Sequence, residues 1–270
     1  MQSNLSRLPY NAGILIFLLT GSCRIAAQST NPWPTIGAIP LPAGYHRIPA
    51  TDGSFTVWLR NIRLKKDRTV YLFNGSPKRN QDAQFAVLDI PVGHQDLQQC
   101  ADAVMRLRAE WLYAAGVSGA ITFYTEQGRR LNFQEWLQQH PIETRRPLAD
   151  TRREAFDKYL TTVFTYCSTR TLQRQLLPVP DFSAIDAGEV LIRAGSPGHA
   201  MLVADVAEDS HGHRIYLLAQ SYMPAQDIHI VVSPDGGLSP WYRADAANPL
   251  IQTPEWTFKT SELCNWPLIK

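Results

Sequence analysis

Apolar positions along the chain follow two rhythms. Three short apolar runs come first, Phe55–Leu59, Val70–Phe73 and Phe85–Ile90. Each predicts a strand, and Asn74-Gly75 marks a turn after the second. The spacing then lengthens. Leu97, Ala101, Val104, Leu107, Trp111 and Leu112 recur at helical intervals and define one face of a helix. Asp96 followed by Gln99 is a capping-box pattern, so this helix is expected to begin at Asp96 and to end near Gly116. Ala120–Tyr124 predicts a further strand and Asn132–Gln139 a short helix. Arg152–Tyr166 predicts a long helix with Phe156, Leu160, Val163 and Phe164 on one face, and Thr171–Leu177 a shorter one stopped by Pro178.

The last third changes to strands. Glu189–Ile192, His199–Val206, His213–Ser221 and Ile228–Val232 are separated by turns rich in Gly and Pro, which predicts an antiparallel meander. The fold class is therefore α+β, with helices packed on a mostly antiparallel sheet or half-barrel, in a single domain over residues 54–270. Ser196-Pro197-Gly198 predicts a type II turn that delivers His199 to the start of its strand. Charge and apolar matching between the next two strands predict His199 opposite Gln220, Met201 opposite Leu218, Val203 opposite Tyr216 and Asp205 opposite Arg214.

Composition changes this picture at the N-terminus. Of 270 residues 44% are hydrophobic, which suffices for a core, and the formal charge of +2 offers no basic stripe to nucleic acid. Residues 1–22 carry one charge, Arg7, then the apolar run Ile14–Leu19, which is the layout of a secretory signal. Thr20-Gly21-Ser22-Cys23 resembles a bacterial lipobox, in which Cys23 is lipidated and anchors the protein to the membrane; the rival is cleavage after Ala26-Ala27. Export to the periplasm, or anchoring as an envelope lipoprotein, is the expectation. Residues 23–53, with Pro32, Pro34, Pro40, Pro42 and Pro49, read as an extended leader.

The chemistry centres on His199 and Gln220. An imidazole held by an amide is half of a nucleophilic site, since the amide fixes the tautomer that accepts a thiol proton. Cys167 is the expected nucleophile. It lies where one helix ends and Ser168 or Thr169 can cap the next, and a helix N-terminus lowers a thiol pKa. Other readings stay open: His199 as a satisfied core histidine, Cys167 as a buried small apolar residue. Cys100, beside the helical stripe, reads as core, and Cys264, near Trp266, as packing. Tyr222 and Gln226 form a candidate binding lip. Asp89 shares a face with Phe85 and Val87, so it is read as a buried carboxylate, paired to Arg106 or Arg108 or aimed at substrate. His211 and His213 with Asp205, Glu208 and Asp209 have metal-ligand chemistry but read as a solvated hairpin. No metal or cofactor is expected.

Two resemblances follow from these residues. Cys-Ser at a helix start, Gly188-Glu-Val-Leu-Ile, Gly198-His-Ala-Met-Leu-Val and a polar residue on the next strand resemble the NlpC/P60 branch of papain-like cysteine peptidases. That resemblance implies a papain-like fold and cleavage of cell-wall peptide, with Cys167, His199 and Gln220 as nucleophile, base and orienting group. Asp96-Leu-Gln-Gln-Cys-Ala-Asp-Ala, Met105-Arg-Leu-Arg-Ala-Glu-Trp, Leu218-Ala-Gln-Ser-Tyr-Met-Pro-Ala-Gln-Asp-Ile-His229, Ser239-Pro-Trp-Tyr242 and Thr253-Pro-Glu-Trp256 resemble the domain of unknown function 4846 family. That family implies an exported bacterial protein, often a lipoprotein, and no mechanism. The expected function is a cysteine amidohydrolase acting on peptidoglycan; the alternative is a non-catalytic envelope protein that binds a ligand on the same fold.

Overall fold

The computed structural model describes residues 30–141 and 148–269. Cys23 and the expected signal segment lie outside these. In chain order the described strands are β1 (His46–Arg47), β2 (Gln84–Val87), β3 (Thr122–Tyr124), β4 (Arg130–Asn132), β5 (Leu177–Pro178), β6 (Val190–Arg193), β7 (His199–Glu208), β8 (Arg214–Gln220), β9 (His229–Val231), β10 (Tyr242–Arg243), β11 (Leu250–Gln252), β12 (Thr257–Lys259) and β13 (Leu263–Asn265). The helices are α1 (Phe55–Arg60), α2 (Cys100–Ala114), α3 (Phe133–Gln139), α4 (Leu148–Tyr166) and α5 (Thr169–Gln173).

β7 is buried along nearly its whole length, and a strand buried on both faces needs a layer on each side. It sits at the centre of an antiparallel sheet ordered β2-β9-β8-β7-β6-β13-β5, with β1 added at the far end of β7 and β10 on β8. One face is lined by small and medium residues, Ala200, Leu202, Ala204, Leu217 and Ala219, and it receives the helices through Val104, Leu107 and Phe156. The small side chains allow α2 to pack closely on β7 and β8. The other face, Met201, Val203, Tyr216 and Leu218, packs on Phe182, Tyr242, Ile251 and Phe258, the last two from the β11–β12 hairpin. The chain is α+β with a large antiparallel sheet, as the sequence predicts.

Several elements differ from expectation. Phe55–Leu59 lies in the helix α1, not a strand: the Ser54 hydroxyl accepts from the Val57 amide at 3.3 Å and caps it, while Phe55 and Leu59, four apart, turn to one buried side. Val70–Phe73 makes only isolated bridges, Tyr71 to Pro77 and Leu72 to Gln226. α2 begins at Cys100 and not at Asp96, because Asp102 reaches back to the Gln99 amide at 3.1 Å. The leader expected over 23–53 is, in its described part, built into the domain: Ile36 and Ile39 are fully buried, Trp33 stacks on Phe85 at 4.8 Å, and β1 pairs with β7.

The β7–β8 register is also corrected. Val203 pairs with Leu218, two places from the expected partner, and a bulge after Val203 brings Asp205 opposite Leu217 and Glu208 opposite Arg214. The bulge lets the buried Asp205 meet Arg47 and Arg60, each at 2.7 Å. A shift of two residues preserves the face, so His199 and Gln220 remain on one side as diagonal neighbours.

Candidate functional site

Three chain segments converge at one end of the sheet: the start of β7, the end of β8 and the start of α2. The turn before β7 is not type II. Its Ser196–Pro197 bond is cis and its positive φ lies at Gly195, while Gly198 sits so close to the backbone of Gly195 and Arg193 that no Cβ fits. After β8 the chain clamps the approach to α2. The Ser221 hydroxyl lies 2.9 Å from the Gln98 carbonyl and 2.8 Å from the Gln226 carbonyl, and the Ala225 amide donates to Asp96 at 2.6 Å. Asp96 thus ties a loop down instead of capping the helix. The result is a cleft of about 370 Å³, lined among others by Cys100, Asp102, Cys167, His199, Tyr222 and Trp256.

His199 is buried, and its Nε2 lies 2.8 Å from Gln220 Oε1. The other end of Gln220 fixes which atom faces which. Its Nε2 donates to Glu255 at 2.8 Å and faces His229 Nε2 at 3.3 Å. Glu255 also holds Lys78 at 2.5 Å, and the opposite nitrogen of His229, Nδ1, donates to the Asp227 carbonyl at 2.9 Å. A carboxylate accepts only, so the amide nitrogen must point at Glu255 and the amide oxygen at His199. His199 therefore carries its proton on Nε2, and its Nδ1 lone pair is left as an acceptor. Burial pulls the imidazole down to about 4, against the Gln220 hydrogen bond, which raises it. At neutral pH it is a neutral base. The rings of Tyr222, Trp256 and Phe258 surround it at 4.8, 5.2 and 5.8 Å.

Two thiols share the cleft. Cys167 lies just before Ser168, the cap of the five-residue α5; its Sγ–H donates to the Tyr124 carbonyl at 3.3 Å. Burial pushes this thiol up to about 12, reversing the lowered value expected from its place at a helix start. Cys100 is the first residue of the fifteen-residue α2, which packs on β7 itself. Burial raises its thiol too, but the backbone N–H groups of Ala200, Ala101 and Cys100 favour the thiolate. Apart from that sulfur, the amides of Cys100 and Ala101 meet no acceptor among the described residues. Cys100 and His199 do not hydrogen-bond in this resting structure.

The remaining expectations divide. Tyr222 is at the cleft, its ring tilted against that of His199. Gln226 is buried, with its Nε2 unpaired, and forms no exposed lip. Asp89 is exposed, not buried, because the strand stops at Val87; it lines a separate groove of about 690 Å³ that holds neither thiol. His213 bonds Asp209 at 3.0 Å in an exposed turn. The sequence reading missed Cys100, Lys78, His229 and Glu255. The last two stand in the quoted motifs ending at His229 and Trp256, whose polar residues were the available signal.

The sequence matches the family described as domain of unknown function 4846 over residues 37–265, so the chain belongs to that family. No curated protein and no solved structure matches it. The family match supports the second resemblance drawn from the sequence; nothing in the comparisons supports the NlpC/P60 resemblance.

Proposed function

We propose that this member of the domain of unknown function 4846 family hydrolyses an amide bond through a base-activated thiol. Cys100 is the nucleophile, His199 the base and then the acid, and Gln220 the group that orients the imidazole. The observation that carries the reading is a shared cleft, lined both by a thiol at a helix start and by a histidine whose tautomer is fixed by Gln220. Cys100 takes the role that the sequence suggested for Cys167, because its helix lies on the strand that carries His199 and its helix-start amides favour the thiolate.

In this reading His199 Nδ1 takes the Cys100 proton and the thiolate sulfur bonds to the substrate carbonyl carbon. The amides of Cys100 and Ala101 stabilise the oxyanion. The imidazolium returns the proton to the leaving amine as the C–N bond breaks. Water, deprotonated by His199, then releases the acid from the thioester and restores the thiol. The gap between thiol and imidazole closes on substrate binding, as resting sites are often looser than the reacting complex. Cell-wall peptide is the proposed substrate. Export and lipid anchoring at Cys23 belong to the same proposal, resting on the Thr20-Gly21-Ser22-Cys23 run.

The test is the rate of iodoacetamide labelling at each thiol from pH 4 to 9, together with hydrolysis of peptidoglycan fragments. The proposal expects labelling at Cys100 that slows at least tenfold in His199→Ala, and hydrolysis lost in Cys100→Ser but kept in Cys167→Ser. Equal labelling of Cys100 with and without His199 would overturn it. A second reading, ligand binding without turnover in the same cleft, is favoured by one observation: burial keeps thiol and imidazole both neutral at rest. It predicts saturable binding of those fragments with no hydrolysis.

A further inference from the structure

A second cavity, of about 660 Å³, opens two turns along α2 from Cys100 and has no lining residue in common with the cleft. Its charged lining is all of one sign: Arg108, Arg130 and Arg174, with no Asp or Glu among the lining residues. Arg130 and Arg174 already have partners, Glu135 and Glu126. Arg108 has none. Its guanidinium lies over Trp111, Trp266 and Phe55, at 4.5, 5.2 and 5.3 Å from the ring centroids, and none of its N–H groups meets an acceptor among the described residues. The rings hold the plane of the guanidinium in place and leave its rigid fork of donors unused. Burial pulls its pKa down to about 10, with no compensating acid among the lining residues.

The rest of the cavity is apolar in a matching way. Leu112 and Phe123 form wall, while Leu268 and Ile269 of the C-terminal segment stand at the lining with 93% and 43% of their surface exposed. Large apolar side chains left this open beside a cavity signal a binding surface. A cation with free donors and an unpartnered apolar margin are the two halves of a site for one kind of molecule.

We propose that this cavity binds an amphiphilic organic anion, its carboxylate or phosphate headgroup held by Arg108 and its hydrocarbon part lying against Leu112, Phe123 and Leu268. The site is independent of the proposed hydrolase chemistry. A carboxylate or a phosphate satisfies the same fork of donors, so the experiment distinguishes them.

The test uses the quenching of Trp111 and Trp266 fluorescence, with calorimetry, on the folded protein. Dodecanoate, dodecyl phosphate, dodecanol and inorganic phosphate are titrated below their micellar concentrations. Saturable binding is expected for dodecanoate, dodecyl phosphate or both, the tighter of the two identifying the headgroup. Dodecanol and inorganic phosphate should bind at least tenfold more weakly. Arg108→Gln should cost at least tenfold in affinity. Because that change also removes an aromatic-stacked side chain, Leu268→Glu provides a second arm: it alters only an exposed residue, and its charge should repel the anion by at least tenfold. Dodecanol binding as tightly as dodecanoate, inorganic phosphate binding as tightly as dodecyl phosphate, or both variants binding like the unmodified chain would each overturn the proposal.

Discussion

At the scale of single residues, Gln220 decides the state of His199. Its amide is oriented by Glu255 and His229 at one end, so the oxygen at the other end can only accept the His199 Nε2 proton. Gln220→Ala leaves that proton without a partner and removes the hydrogen bond that raises the imidazole pKa. Stability should fall by about 1–3 kcal/mol, the usual cost of a buried group left unpaired. The pH at which thiol labelling of Cys100 begins to rise should move below that of the unmodified chain, as the imidazole falls below its value of about 4. Labelling against pH in the two proteins checks this, and an unmoved acid limb would mean that Gln220 does not act on His199. This pair was legible in the sequence because strand alternation fixes the face even when the register slips by two. Lys78 and Glu255 were not, since they arrive from distant loops that carry no period. Cys100 was hidden for another reason: it neighbours an apolar helical stripe, and the pattern that reveals a helix face says nothing of the chemistry at its first turn.

At the scale of elements, the turn before β7 and the clamp on α2 carry the precision of the site. A Cβ at Gly198 would lie 2.6 Å from the Gly195 carbonyl oxygen, and 2.9 Å from the Arg193 carbonyl oxygen and the Gly195 amide nitrogen. These are backbone atoms that cannot swing away, so the turn itself must move and carry His199 with it. Gly198→Ala should destabilise the fold by about 1–3 kcal/mol, as overpacking does, and slow Cys100 labelling. Gly236, where an added Cβ meets nothing within 4 Å and φ is not positive, is the control, and Gly236→Ala should be neutral in both measurements. Denaturant unfolding and labelling rates together test the pair. The sequence showed that Gly198 belongs to a turn, but not which turn, because local residue preferences do not report the contacts of a packed corner. The same limit explains α1: five residues with two apolar ends four apart fit a strand or a helix turn, and only the Ser54 cap and the sheet beneath decide.

At the scale of the whole molecule, buried groups of opposite kinds set the dependence of stability on pH. His199 and His229 are held down to about 4 and about 3, so the unfolded chain binds protons that the native state refuses, and stability is lost as pH falls from about 6.5 through these values. Glu189 is raised to about 7 by burial, and Asp102 is raised well above the carboxylate range. These two act in the other direction: the native state keeps protons that the unfolded chain releases, so stability is lost as pH rises above their unfolded values. Between about pH 4.5 and 6.5 the two imidazoles and the two carboxyls nearly cancel. Above that range Asp102 acts with less opposition. It stands one turn inside α2, where its charge would raise both thiols of the cleft, and burial keeps that charge off. Asp102→Asn retains an acceptor for the Gln99 amide and removes the titration. The stability of this variant relative to the unmodified chain should therefore climb with pH by about 1.4 kcal/mol per unit over the range in which only the unfolded carboxyl is ionised. Denaturant unfolding of both proteins at pH 5, 6 and 7 measures the slope. A constant difference would show that Asp102 is ionised in the native state, and the thiol of Cys100 would then sit beside a fixed negative charge that opposes the thiolate its proposed chemistry requires.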